Sequence, residues 1–191
     1  MIRFASVLAV PLLFGLWGLG QSARPERPLT PDVPPGPPRP VEVFSELDGT
    51  WVGTFVGYDA AGVELYRIGV RQTYVTVDET TQTVEVEDTM PDGTVIRGRG
   101  KNVARRRPDG TLALTCIVDK STGERVEHEG RLVRGPDGDP QLVWFSASDK
   151  RSETFRERVR HEGTLVVYSI DGRGRYGEAE MLMAGRYVKQ K

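Results

Sequence analysis

Pro91-Asp92-Gly93, Pro108-Asp109-Gly110 and Pro136-Asp137-Gly138 cut the middle of the chain at near-regular intervals, and the residues between them alternate in character. Working outward, Asp59-Ala60-Ala61-Gly62, Ser121-Thr122-Gly123, His161-Glu162-Gly163 and Asp171-Gly172 continue the series. Turn signals spaced by about 10 to 15 residues, with strand-like runs between them, mark an all-β meander or barrel.

Ten such runs fall near 50–58, 64–77, 82–89, 94–104, 111–119, 124–134, 140–147, 152–160, 164–170 and 176–188. Val84, Val86 and Asp88 face away from Thr83, Glu85 and Glu87. Val126, His128, Gly130 and Leu132 oppose Arg125, Glu127, Glu129 and Arg131, and Ala179, Met181 and Met183 oppose Glu178 and Glu180. A period of two gives one buried and one wet face. Leu142-Val143-Trp144-Phe145 and Leu165-Val166-Val167-Tyr168 are apolar on both faces, so a loop or a partner is expected to cover one of them. Only 152–161 also reads as a helix, and its Thr154, Phe155 and Val159 suit a strand equally. Short connections imply antiparallel pairing in chain order. Closing an up-and-down meander of about 8–10 strands into a barrel removes both edges, and such a barrel is filled by side chains or holds one small ligand.

The N-terminus reads as a secretory signal over residues 1–23. Arg3 is followed by an apolar run around Val7 to Phe14 and then by small residues at Gly18, Gly20, Ser22 and Ala23. That order is the export pattern, and it predicts a secreted or periplasmic protein with no membrane span after cleavage. The run, interrupted by Pro11, sits at the short edge of the roughly 20 residues a spanning helix needs; an uncleaved anchor is the alternative. Residues 24–43 read as a linker with eight prolines between Pro25 and Pro40, an extended spacer that cannot join a sheet. The folded domain is expected over 44–191.

Removing residues 1–23 takes away Arg3 and no acid, leaving 25 basic against 27 acidic residues, a formal charge of −2. Such a balance gives no basic face for nucleic acid. Cys116, the only cysteine, excludes an internal disulfide. The domain must rest on its core, which at this size buries close to 70% of the unfolded surface.

Gly49-Thr50-Trp51 stands where the first strand begins, and Gly185-Arg186-Tyr187 near the end of the last. This pairing resembles the signature of the calycin superfamily, which holds lipocalins, fatty-acid-binding proteins, avidins and nitrobindins. The resemblance implies a lipocalin-like barrel in which Gly49, Trp51 and Arg186 are structural, with the arginine packed over the tryptophan ring. Nitrobindins hold haem through a histidine on a late strand. The run from Gly177 to Lys189 has none, so the resemblance does not support haem, and no cofactor is expected.

The candidate cavity residues are Tyr74, His128, Tyr168 and Met183. His128, in phase with Val126 and Leu132, points inward, as a ligand contact or as a rim histidine satisfied by a neighbour. Cys116 shares a face with Leu112, Leu114 and Val118 and reads as core. Two histidines and one cysteine cannot supply a zinc site, and the Asp-Gly turns lack the ligand spacing of a calcium loop. Arg105-Arg106-Arg107 reads as a solvated hairpin end. Arg156, Arg158 and Arg160 line one face of a strand, with Glu153 and Glu157 as nearby ion-pair partners on an outer wall. No acid is read as isolated in an apolar run, where its pKa would rise. The expected function is binding of a small hydrophobic ligand without catalysis. The alternative is a structural module that binds a protein partner.

Overall fold

The computed structural model describes residues 39–136, 138–148 and 151–191. The signal reading of 1–23 and the linker reading up to residue 38 lie outside the described residues. A short helix, α1 (Pro40–Ser45), leads into ten strands: β1 (Gly49–Asp59), β2 (Glu64–Thr76), β3 (Thr81–Thr89), β4 (Val95–Arg106), β5 (Leu112–Lys120), β6 (Arg125–Arg134), β7 (Pro140–Ala147), β8 (Arg151–Glu162), β9 (Leu165–Tyr176) and β10 (Ala179–Lys189). Each strand pairs antiparallel with its chain neighbours. β1 closes on β10, from Trp51↔Lys189 to Asp59↔Met181, and the sheet has no free edge. The expected antiparallel meander and barrel closure are what the chain forms.

Five hairpins share one loop design. The amides of Gly62, Gly93, Gly110, Gly123 and Gly138 donate to the carbonyls of Asp59, Met90, Arg107, Lys120 and Gly135 at 2.9–3.0 Å. Each of these glycines has φ between 83° and 85°, the left-handed step that a three-residue hairpin loop requires. Asp171-Gly172 is the exception among the expected turns. It lies inside β9, and the chain reverses at Gly177 instead (φ 65°). Gly172 is a packing glycine: a Cβ there would lie 2.5 Å from Phe155 Cδ1.

α1 begins inside the stretch read as linker. Pro40 suits the first helical position, where no N–H is needed, and the Arg39 amide donates to Glu42 Oε2 at 2.9 Å. The helix drives Phe44 and Leu47 into one end of the barrel, where both are buried. Carbonyls of the helix and of the turn after it accept hydrogen bonds from the barrel. Trp51 Nε1 donates to Leu47 O at 2.6 Å, and Gln82 Nε2 donates to Phe44 O at 2.9 Å. This plugged end contains a stack of rings in which Tyr168 lies 5.5 Å from Trp51, 6.2 Å from Tyr74 and 5.3 Å from Tyr187. Trp51, Tyr168 and Tyr187 are among the largest fully buried side chains.

The position above the Trp51 ring belongs to Lys189, whose Nζ lies 5.2 Å from the ring centre. Arg186 faces outward and pairs with Glu162 at 2.5 Å. The arginine role implied by the calycin resemblance is therefore corrected. In strict alternation, residue 186 is out of phase with the inward Gly185 and Tyr187 that flank it, while Lys189 is in phase with Tyr187.

Candidate functional site

Two cavities meet at Glu157. The outer one, about 860 Å³, opens at the helix end, between Glu46 and Leu47 and the ends of β5 to β8. Its apolar lining includes Leu112, Leu132, Leu142 and Val159, and Arg107 and Arg134 also line it. The inner one, about 180 Å³, lies within the barrel among Phe55, Tyr74, Asn102, His128, Trp144 and Phe155. Glu157 lines both. It reaches the lumen because β8 alternates: Glu153, Phe155, Glu157 and Val159 point inward, and Arg156, Arg158 and Arg160 point outward. The outward face carries its own ion pair, Arg158 to Asp171 at 3.1 Å. The arginines do line the outer wall with a cross-strand ion pair, as expected; the correction concerns Glu153 and Glu157, which face the lumen.

Burial pushes the Glu157 carboxyl up to about 7, although the Trp144 indole, the Tyr168 hydroxyl and His128 draw it part of the way back. An acid with a raised pKa among apolar neighbours does exist here. It was missed because the sequence reading assigned Glu157 to the arginines beside it. The signal was present in the phase of β8, where Phe155 and Val159 flank Glu157 at a period of two.

Four residues away, Glu153 is buried in a different setting. Its carboxylate lies 3.2 Å from His128 Nε2 and accepts from Arg151 Nη2 at 2.8 Å and from Ser146 Oγ at 3.4 Å; the Tyr176 hydroxyl also donates to it. Burial raises its pKa, but the hydrogen bonds from His128, Arg151 and Tyr176 outweigh that and hold it near 2. Arg151 continues the network outward to Glu124 at 3.1 Å. This cluster lies toward the end of the barrel opposite α1.

The four expected cavity residues divide. Tyr74 and His128 line the inner chamber. His128 is partnered by Glu153 and meets Phe155 edge-on at 5.5 Å between ring centres, so it is the satisfied histidine of the two readings. Tyr168 and Met183 point inward and are buried, but they stand outside the chamber lining: Tyr168 is locked in the ring stack, and Met183 Sδ takes the Tyr176 hydroxyl at 3.7 Å. Cys116 lines the chamber, and burial pushes its thiol up to about 12, far from a thiolate at neutral pH. Trp144 turns into the lumen at 3% exposure, while Phe145 points outward at 38%.

Asn102 is the second residue that the sequence did not single out. Asp48 Oδ1 accepts from the Thr76 amide at 2.8 Å and from Gln82 Nε2 at 2.9 Å. Gln82 Nε2 must therefore face Asp48 and Phe44, which leaves Gln82 Oε1 to accept from Asn102 Nδ2 at 3.0 Å. The carboxylate fixes both amide orientations in turn. Among the described residues, Asn102 Oδ1 is left buried with no partner.

These features define an antiparallel ten-strand barrel with an internal chamber and a mouth at its helix end. Two solved structures have the same fold. The Rv2717c protein of M. tuberculosis superimposes with a TM-score of 0.55 at 14% identity, over 79% of this chain and 97% of that one. The S-type phycobiliprotein lyase of Guillardia theta gives 0.54 at 13% identity, over 81% and 94%. No family profile matches the sequence, and no curated protein matches it.

Proposed function

We propose that this protein is an exported, non-catalytic barrel that binds a small, mostly apolar ligand. The observation that carries the reading is the pair of cavities joined at Glu157. An outer apolar space of about 860 Å³ falls within the roughly 300–1,000 Å³ range of small-molecule sites. Binding rather than chemistry is supported by how the reactive groups are occupied. His128 is engaged by Glu153, and Cys116 is held as a thiol. A nucleophile beside a free base, which covalent catalysis needs, is not assembled around Glu157 by the described residues. The phycobiliprotein lyase shares the fold, and fold alone assigns no activity.

Titration with the fluorescent probe 1-anilinonaphthalene-8-sulfonate tests the reading. Saturable one-to-one binding is expected, and Leu132→Trp and Val159→Trp, each filling the mouth, should abolish it while the thermal transition persists. Binding that both variants leave unchanged would place the probe elsewhere and overturn the proposal. Export has its own test. The mature protein isolated from outside the cytoplasm should begin at Arg24, and an intact residue 1–23 segment would refute cleavage.

The interaction-module alternative drew on the Trp144-Phe145 run. With Trp144 inside, that run offers a partner one ring, Phe145, rather than a patch.

A further inference from the structure

The inner chamber presents polar acceptors on two separate walls. Three of its donors are already used: Tyr74 Oη donates to Gln72 Oε1 at 2.6 Å, His128 is bound to Glu153, and Asn102 Nδ2 is given to Gln82. On β4 the acceptor is Asn102 Oδ1, in a side chain 3% exposed and, among the described residues, with no partner; on β8 it is the Glu157 carboxyl, on which the Trp144 indole and the Tyr168 hydroxyl also act. A buried acceptor without a donor is costly, so an occupant that brings N–H or O–H groups is favoured. The charged group that acts on Glu157 is His128. The rest of the lining mixes valines and Ile170 with five aromatic rings, Phe55, Tyr74, Trp144, Phe155 and Tyr187, and aromatic faces attract a cation.

Resting on the carrier reading above, we propose that the inner chamber takes the ammonium end of an apolar amine, with its N–H donors shared between Asn102 Oδ1 and the Glu157 carboxylate and its hydrocarbon body running into the outer cavity. An amine supplies the missing donors and the missing counter-charge together, whereas an alcohol supplies a single donor and a fatty acid brings a second carboxylate against the first. The groups facing Glu157 from the surrounding strands are Tyr74, Cys116, Tyr168 and Tyr187, all pushed up by burial and neutral at physiological pH, and His128. Amine binding therefore strengthens as pH rises through the Glu157 titration, while alcohol binding stays flat.

Calorimetry on the full chain at pH 8 with n-octylamine, n-octanol and octanoate reads this directly. Octylamine is expected to bind roughly tenfold or more tighter than octanol, as a charge-assisted hydrogen bond outweighs a neutral one, with octanoate the weakest. Lowering the pH to 5.5 should remove most of the octylamine preference. Glu157→Gln should remove it at pH 8 and leave octanol unchanged. Asn102→Leu, which withdraws the other acceptor, should also weaken octylamine selectively. Octanoate binding as tightly as octylamine would overturn the proposal, as would equal affinities for amine and alcohol; in both cases the carrier reading survives. Failure of all three to bind would remove both.

Discussion

Glu153 and Glu157 project from the same inward face of β8, two strand repeats apart, yet their carboxyls lie on opposite sides of the ordinary range, near 2 and near 7. Burial raises both. The difference is made by neighbours. Glu153 collects hydrogen bonds from Arg151, Tyr176 and Ser146 and faces His128. Glu157 has an indole, a phenol and a more distant histidine. One strand thus carries a satisfied structural acid toward one end of the lumen and an under-satisfied one where the two cavities join.

The raised Glu157 makes the barrel less stable at alkaline pH. A carboxyl whose folded pKa lies above its unfolded value of 4.5 favours the folded state when protonated. That advantage is complete below pH 4.5 and lost as pH rises to about 7. The loss is about 3 kcal/mol. Glu157→Gln should flatten this slope, with a higher urea midpoint than wild type at pH 8 and a similar one at pH 4.5. A parallel shift at both values would show that Glu157 does not titrate in this window.

Glu153 has the opposite sign. Its depressed pKa contributes stability above pH 4.5 that is lost as pH falls toward 2. Glu153→Gln strips a buried carboxylate from His128 and from Arg151, whose side chain is 42% exposed and can regain water. Breaking a fully buried pair costs about 3–5 kcal/mol, and the exposure of Arg151 reduces this to about 2–3 kcal/mol. Denaturant unfolding at pH 7 measures it, and a change within error would mean the cluster is not a structural brace.

The hairpins were legible because their chemistry is local. Five glycines at one loop position, three of them closing a Pro-Asp-Gly triplet, announce five reversals before any tertiary contact is known. Gly172 misled the same reading because a packing glycine under Phe155 and a turn glycine look alike when only Asp171 is beside them. α1 was hidden by composition. Pro40 reads as spacer, and what makes 40–45 a helix is the burial of Phe44 and Leu47 against the barrel.

The site was less legible, for two physical reasons. Glu157 stood in plain phase with Phe155 and Val159, but charge composition suggested arginine partners, and only the pleat separates the two faces. Asn102 could not have been found from the sequence. Its unpartnered oxygen follows from a chain of amide orientations that begins at Asp48, on the far side of Gln82. Tyr74 and His128 were within reach because alternation alone points them inward.

The floor cation can be tested against the signature residue. Lys189→Ala should lower stability by about 1 kcal/mol through loss of the cation over Trp51 and of its packed stem. Arg186→Ala, which opens only an exposed pair with Glu162, should leave the thermal midpoint unchanged. The reverse ranking would restore the arginine to the role implied by the calycin resemblance.

Gly130 ties the backbone to the chamber wall. An added Cβ there would sit 2.4 Å from Trp144 Cε3 and 2.7 Å from Cζ3, so the indole must move before alanine fits. Trp144 is 3% exposed and lines the inner chamber beside Glu157, so the displaced ring has only the chamber to enter. Overpacking of this kind costs about 1–3 kcal/mol. Gly130→Ala should therefore lose stability and probe affinity together. Gly93→Ala serves as the control: its added Cβ meets open space and only the backbone at φ 85° is strained, so it should lose about 1 kcal/mol of stability with the affinity of the folded protein intact. Equal affinities in both variants would show that the Trp144 wall does not shape the binding space.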